Sequence, residues 1–272
     1  MTPNYRLSPR DMRVVTILAE MYGAPMDRVA AMLGVQLTSA YRTVAKWRAT
    51  HLVSGMKVRP VAGHTWVFPT RSATEAILPY YAKYWTPSPK MAAHVTAVLD
   101  LRLALTGQDL DRWIPERQLR AELGMARPGE QRQHVHDGRF YDSEGRLWAV
   151  EVELTAKNLA AAKVAVAKAL HAARKASCAG VMYFCRTVER DRDGRIVRRT
   201  DEIRNVIAAA VKAVRQAEDP TVRAAILEDV LGTNTETAPT QTRPGLTVIS
   251  GGASDRINQA ATGGRDTGEA VS

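Results

Sequence analysis

The sequence has little cysteine and no long apolar run. Its 272 residues include two cysteines, Cys178 and Cys185, with no metal-ligand spacing such as Cys-x-x-Cys. This count argues against a disulfide framework, and a free, reduced, intracellular pair is expected. No run approaches ~20 apolar residues, and the first residues lack the hydrophobic core of a signal peptide. We therefore expect a cytoplasmic protein with no membrane partner.

The sequence also lacks a positioned phosphate-cradling Gly-rich loop, and no Ser-His-Asp or Cys-His nucleophile can be assembled from it. What it does have is positive charge, with a formal net charge of +10. Residues 1–90 carry most of this excess, with 12 Lys and Arg against 4 Asp and Glu. The imbalance favours contact between the N-terminal part and a polyanion, and double-stranded DNA is the expected partner.

Residues 8–51 show the pattern of a helix-turn-helix. Capping residues and apolar spacing predict three helices, at about 8–23, 25–33 and 38–51. Thr38-Ser39 are expected to cap the third helix, whose inner stripe is Ala40, Val44 and Trp47. Its outer face is basic and able to form hydrogen bonds, with Ser39, Arg42, Thr43 and Lys46. These four residues are the candidates for contact with DNA bases and phosphates.

A β-hairpin after the third helix would complete a winged helix-turn-helix. Residues 56–59 read as one strand, 60–63 as the tip and 64–68 as the return strand. Lys57, Arg59 and His64 would then lie on the wing, against the DNA backbone or minor groove. The alternative is a winged helix that serves as a protein-interaction module, with the basic residues as an ordinary solvated face.

The segment Trp85 to Pro89 marks the clearest boundary, because two prolines in three residues cannot continue a helix. We therefore expect an α+β protein with a winged-helix domain at 1–85, an α/β domain at 90–231 and a disordered tail at 232–272. The further predicted elements are a buried parallel strand at 180–185 and helices at 71–84, 91–105, 116–123, 158–175, 201–217 and 221–231.

Three carboxylates gather on a predicted β-hairpin in the second domain. Phe140-Tyr141 begins one strand, and residues 147–154 form the other, in which Glu151 and Glu153 alternate with apolar residues. Side chains two positions apart share a face of a strand, so both glutamates project together, and Asp137 can join them. Such a group of oxygen ligands suits a hard cation such as Mg²⁺. The simpler alternative is the wet face of an amphipathic strand.

This hairpin resembles the replication-relaxation family of plasmid and mobile-element proteins. The resemblance is carried by Asp137-Gly138, by the strand end 149–155 with Lys157 close behind, and by the segment Trp113 to Arg120. It covers roughly residues 8 to 190, and implies a winged helix joined to a domain of the PD-(D/E)XK (restriction-endonuclease-like) type. His136 stands where that motif usually carries Pro, and Glu153 where most such nucleases carry Lys.

The resemblance implies a role in replication or DNA processing of a plasmid, phage or mobile element, as a metal-dependent DNA endonuclease or nickase. Asp137 and Glu151 would hold Mg²⁺ or Mn²⁺ with Glu116 as a further ligand, while Glu153 and Lys157 position the water. The rival is a catalytically inactive regulator or replication accessory factor that uses the second domain for binding or dimerisation. We also expect a homodimer and contacts with replication or conjugation proteins. A third hypothesis is a protein-interaction adaptor that binds DNA only weakly.

The segment His134-Val135-His136-Asp137 allows a second kind of metal site. Alternating histidines on a strand can point two imidazoles the same way, and Asp137 can add an oxygen for a transition metal such as zinc. The neighbouring glutamates favour Mg²⁺ or Mn²⁺ instead.

Overall fold

The computed structural model describes residues 7–124, 129, 133–190, 195–232 and 247–248. They form a mixed α+β fold, as the sequence predicts. The helices, in chain order, are α1 (Pro9–Glu20), α2 (Met26–Leu33), α3 (Leu37–Ala49), α4 (Arg71–Ile77), α5 (Pro89–Thr106), α6 (Glu116–Leu123), α7 (Leu159–Lys175), α8 (Glu202–Val214) and α9 (Leu227–Val230). The strands are β1 (Ala24–Pro25), β2 (Trp66–Val67), β3 (Trp113–Pro115), β4 (Gly138–Tyr141), β5 (Leu147–Glu153), β6 (Gly180–Cys185), β7 (Val188–Arg190), β8 (Ile196–Arg199), β9 (Thr221–Ile226) and β10 (Thr247–Val248).

The three N-terminal helices form where the sequence predicts them. α1 starts at a capping box, in which Ser8 Oγ accepts a hydrogen bond from Asp11 N and the Asp11 carboxylate accepts one from Ser8 N. α2 ends at Gly34, whose φ of 64° is left-handed and favours glycine. α3 buries its predicted inner stripe completely. Its N-cap is Gln36 and not Thr38-Ser39, because the helix begins before those residues and places them inside its first turn.

The predicted wing is less regular than a hairpin. Residues 56–59 do not form a strand, and β2 pairs with β1 instead. The loop is closed by Trp66 N, which donates to Val58 O at 2.9 Å, and by Ser54 N, which donates to Phe68 O at 2.8 Å. Segment 56–59 is mostly exposed, whereas Trp66 and Val67 are buried in the core.

The helix predicted at 71–84 is also wrong in its second half. α4 ends at Ile77, and Leu78 has an extended backbone with ψ of 133°. Pro79 explains this end, because its ring disfavours helical geometry at the preceding residue and it has no N–H to continue the helix.

A six-stranded mixed sheet of order β10-β9-β6-β5-β4-β3 forms the centre of the second region. β4 and β5 are the predicted antiparallel hairpin, and α7 leads from β5 to β6, which lies parallel beside it. The predicted buried parallel strand at 180–185 is thereby confirmed. Asp142 holds the hairpin turn, since its carboxylate accepts hydrogen bonds from Glu144 N, Arg146 N and Trp148 Nε1.

The helix predicted at 221–231 is wrong, because residues 221–226 form β9 and only a single helical turn follows. Thr221, Val222 and Ile226 are β-branched and favour a strand, and β9 pairs in parallel along the whole of β6. Pairing with a distant strand therefore decides the structure of this segment.

Most of the predicted disordered tail lies outside the described residues. Thr247 and Val248 form β10, which pairs antiparallel with β9 at the edge of the sheet.

One hydrophobic core joins the N-terminal region to the sheet. It includes Leu18 of α1, Trp47 of α3, Leu101 of α5 and Val150 of β5. Polar contacts cross the same boundary: both Nε and Nη2 of Arg28 donate to Asp100, at 2.8 and 2.9 Å, and the buried Arg102 pairs with Glu20 at 2.6 Å. Arg117 of α6 donates to the backbone carbonyls of Ala19 and Lys83. These contacts join α1 and α2 to α5 and α6, and α3 is joined to the same body through the shared core.

Both cysteines are buried and free. In the described part of the chain, no helix combines the length and the apolar character needed to cross a membrane.

Candidate active site

The three carboxylates predicted from the sequence lie at one end of the β4–β5 hairpin. Asp137 precedes β4 and is fixed by the backbone of β5: its N–H donates to Val150 O at 3.1 Å, and its Oδ2 accepts from Val152 N at 2.7 Å. Glu151 and Glu153 alternate along β5 with valines that belong to the shared core. The two glutamates therefore project from the opposite face of the sheet, the face on which α7 packs.

Glu151 and Glu153 are buried, with 8% and 7% of their surface exposed. β5 has a neighbouring strand on each side, and α7 covers the face from which the glutamates project. The interpretation of these residues as a wet strand face is therefore wrong. Carboxylates at such a position must be compensated by charge or hydrogen bonds, since burial alone disfavours the ionised form.

Each of the three carboxylates has a basic partner from a different segment. His94 Nε2 of α5 lies 3.0 Å from Asp137 Oδ1. His134 Nε2 lies 2.6 Å from Glu151 Oε1. Lys157, four residues after Glu153, donates to the carboxylate of Glu153. The chain therefore supplies its own compensation for the acidic group.

The electrostatics of the site follow from burial and these pairs. Burial raises the pKa of Glu151 to about 7, and the charges of Asp137 and Glu153 add to this effect while His134 opposes it. Burial lowers the pKa of His134, but the hydrogen bond and charge of Glu151 outweigh it, so that the pKa is raised. The pKa of His94 is raised in the same way by Asp137 against burial. Both imidazoles therefore hold a proton more firmly than a free histidine does.

The carboxylates and Lys157 line an open cleft of about 390 Å³ at the carboxyl end of β5. Two further cations, Lys90 at the start of α5 and Arg186 just beyond β6, line the same cleft. Carboxylates can bind a divalent cation, and basic side chains can bind a phosphate group. The charged residues that line this cleft therefore suit both ions together.

Glu116 is not among the residues that line this cleft. It lines a small cavity with His94 and Asp137, where its Oε2 accepts a hydrogen bond from the Tyr22 hydroxyl at 3.0 Å. Its other oxygen pairs with Arg120, one helical turn away. Glu116 is therefore beside the His94–Asp137 pair in this cavity, and both of its oxygens already have partners, Tyr22 and Arg120 of its own helix.

Among the described residues, one set of three ligand atoms lies within 4.8 Å of one another: those of His134, His136 and Glu151. Asp137 and Glu153 do not belong to that set. His136 is completely buried and its Nε2 lies 3.1 Å from Ala169 O, so Nε2 must carry the proton and donate. Its Nδ1 accepts from Arg139 Nε at 3.4 Å. Because burial lowers its pKa to about 4, His136 is a neutral core residue with both nitrogens engaged.

The candidate DNA-binding residues lie on α3 and on the loop that follows it. Arg42 and Lys46 are exposed on α3, and so are Lys57 and Arg59 on the loop. The other three, Ser39, Thr43 and His64, are half-buried. Thr43 Oγ1 donates to Ser39 O at 3.2 Å, so this hydroxyl already has a partner within the helix.

Sequence reasoning missed His94, Lys90 and Arg186. His94 shares a helical stripe with the buried Val98 and Leu101, and an imidazole among inward-facing apolar residues is a readable signal. Lys90 and Arg186 give no local signal, because their positions in the cleft depend on how α5 and β6 pack.

Comparison with protein-family models, with curated proteins and with solved structures gives no match for this chain.

Proposed function

We propose that this protein binds duplex DNA through α3 and the loop after it, and hydrolyses a DNA phosphodiester in the cleft. In this proposal the N-terminal region is a winged helix, and the sheet region is a PD-(D/E)XK-type nuclease of a plasmid, phage or mobile element. The observation that carries the proposal is the joint presence of Asp137, Glu151, Glu153 and Lys157 in one cleft whose other charged residues are basic.

The donor set fits a hard divalent cation. Asp137 and Glu151 would hold Mg²⁺ or Mn²⁺, since both present carboxylate oxygens and both now depend on a basic side chain for compensation. A cation bound there would neutralise phosphate charge and make a nearby water more acidic. His94 and His134 would give up their contacts with the carboxylates to it.

The remaining residues position the substrate and the water. Lys90 and Arg186 face the cleft and can pair with the non-bridging oxygens of a phosphate. Glu153, oriented by Lys157, accepts a proton from the attacking water. The water oxygen forms a bond to phosphorus, the bond from phosphorus to one ester oxygen breaks, and that oxygen takes a proton from solvent.

One observation favours a second candidate function. All three carboxylates are already paired with basic residues of the chain. Their negative charge is therefore compensated without a bound cation. A catalytically inactive regulator or replication accessory factor, with the sheet region used for binding or dimerisation, would retain this arrangement.

Nicking of supercoiled plasmid tests the proposal. We expect the full-length protein to convert it to open-circular or linear DNA with Mg²⁺ or Mn²⁺, and Glu151→Gln and Glu153→Gln to lose this activity. Glu144→Gln in the exposed hairpin turn is the matched control and should remain active. Wild-type protein that binds DNA but cleaves none of several duplex, nicked and single-stranded substrates would establish the regulatory candidate instead.

A further inference from the structure

The hairpin formed by β7 and β8 begins at the edge of the sheet where the cleft lies. β5 and β6 are parallel, and Glu153 lies opposite Cys185 in their register. Their carboxyl ends therefore meet at one edge, and β7 begins three residues beyond β6. Arg186, between the two strands, donates its backbone N–H to Glu153 O at 2.9 Å while it lines the cleft. The base of the hairpin is thus fixed directly beside the candidate active site.

A buried carboxylate anchors this base to the rest of the protein. Glu228 accepts hydrogen bonds from Thr187 N at 3.0 Å, from Thr187 Oγ1 at 3.1 Å and from Val188 N at 3.2 Å. Thr200 N donates to Thr187 O at 2.8 Å and closes the hairpin across the sheet end. The hairpin consequently leaves the sheet in a defined direction.

The sequence of the hairpin is basic, and its second strand, β8, is largely exposed. Residues 186–199 contain six arginines and three acidic residues. Arg195 and Arg199 are exposed, Arg198 has 57% of its side chain exposed, and Val197 is 62% exposed. Arg198 approaches Glu189 and Glu202 only at 3.8 and 3.7 Å, and exposed pairs of this kind contribute little to stability. These two pairs of Arg198 therefore contribute little to the stability of the fold.

We propose that the β7–β8 hairpin is a DNA-contacting arm, which binds the backbone of a duplex beside the cleft. It deepens and rests on the proposed function, because it takes duplex DNA as the ligand. Arginine pairs well with phosphate, and a two-stranded ribbon is narrow enough to enter the major groove. The cations Lys90 and Arg186 continue the positive charge of the arm into the cleft. A protein partner fits less well, since Val197 is the one exposed large apolar residue among the described residues of the hairpin.

Measurement of duplex binding over a range of salt concentrations tests the arm. The variant is full-length Arg198→Ala/Arg199→Ala, and the matched control is Lys168→Ala/Lys212→Ala, which removes the same charge from exposed positions on α7 and α8. We expect the arm variant to bind a 30-base-pair duplex roughly tenfold more weakly near 0.1 M salt, with a log–log salt slope smaller by about 2. The control should bind like wild type, and both should melt like wild type, since the substituted side chains are exposed.

If the arm variant and the control have equal affinity and equal salt slope, the proposal that the hairpin contacts DNA is wrong. If Arg42→Ala/Lys46→Ala weakens binding while the arm variant does not, DNA binding stands and the arm alone is refuted. If wild-type protein binds no duplex at low salt, the proposed function and the arm fail together.

Discussion

Three carboxylates in one cleft repel one another, and at the residue scale this repulsion shapes the whole site. His94, His134 and Lys157 each bring a proton-bearing nitrogen to a different carboxylate. These pairs offset the repulsion among the three carboxylates. His136, only two residues from His134, has the opposite character, because it is fully buried and bonded to a backbone carbonyl. Two histidines separated by a single residue, Val135, thus differ in their roles.

The buried His136 should make the protein sensitive to acid. Its pKa is about 4 in the folded protein and about 6.5 when unfolded, so the unfolded chain binds the extra proton as pH falls below 6.5. Stability is therefore lost between these two values. Between pH 7 and pH 5, we expect urea unfolding to show about 2 kcal/mol more loss for wild type than for His136→Gln. His94 and His134 have raised pKa values and contribute with the opposite sign in both proteins, so the difference isolates His136. An identical pH dependence for the two proteins would show that His136 is not kept neutral.

The acidic residues, and Lys157 and His134 close to them in sequence, could be identified as site candidates from the sequence, whereas His94 could not. Asp137, Glu151 and Glu153 lie on one hairpin, where period-two alternation and turn residues give the geometry locally. His94 reaches Asp137 from a helix 43 residues earlier in the chain. His136 looked like a ligand in sequence, and only the packing of Ala169 against it shows that it is a core residue.

At the element scale, the proposal assigns DNA contact to α3. Its inner residues are completely buried in the core that includes the other N-terminal helices. The helix is therefore held in place while its outer face is open to solvent.

Replacement of Arg42 and Lys46 with Ala should therefore weaken duplex binding by roughly tenfold or more at about 0.1 M salt, because each phosphate contact contributes through counterion release. Arg13→Ala/Lys83→Ala removes the same charge from exposed positions on α1 and on the segment before α5, and should have a much smaller effect. Fluorescence anisotropy with a labelled duplex measures both. Equal losses in the two variants would mean that general charge, and not α3, binds the DNA.

Elements with strong local signals were predicted well, and those decided by pairing were not. The capping box of α1, Gly34 after α2 and the β4–β5 hairpin all carry their own signals. Residues 221–226 were predicted as helix, but their β-branched residues favour a strand and their pairing with β6, far away in sequence, fixes it. Segment 56–59 alternates apolar and basic residues, but β2 pairs with β1, and the single hydrogen bond from Trp66 N to Val58 O does not make it a regular strand.

At the scale of the whole molecule, the shared core makes the two predicted regions mechanically dependent. Arg28, Arg102 and Arg117 link α2, α5 and α6 across the boundary, and the apolar core is continuous through it. DNA held on α3 would consequently have a fixed orientation relative to the cleft.

We therefore expect the two regions to unfold in one cooperative transition. Urea unfolding followed by tryptophan fluorescence and by far-ultraviolet circular dichroism should give coincident curves. Trp47 and Trp66 report on the N-terminal region, and Trp113 and Trp148 on the sheet. A variant that retains only one of these pairs should still give coincident fluorescence and dichroism curves, whatever its midpoint. Two separate transitions would show that the regions are independent domains joined by a weak interface.

The central claim is that Asp137 and Glu151 hold one divalent cation in the cleft. Isothermal titration of the full-length protein with Mn²⁺ tests it most directly, because it counts ions without reference to cleavage. We expect one ion per chain for wild type and for the control Glu144→Gln, and no measurable binding for Asp137→Asn or Glu151→Gln. No binding by wild type, or unchanged binding by both variants, would contradict the claim.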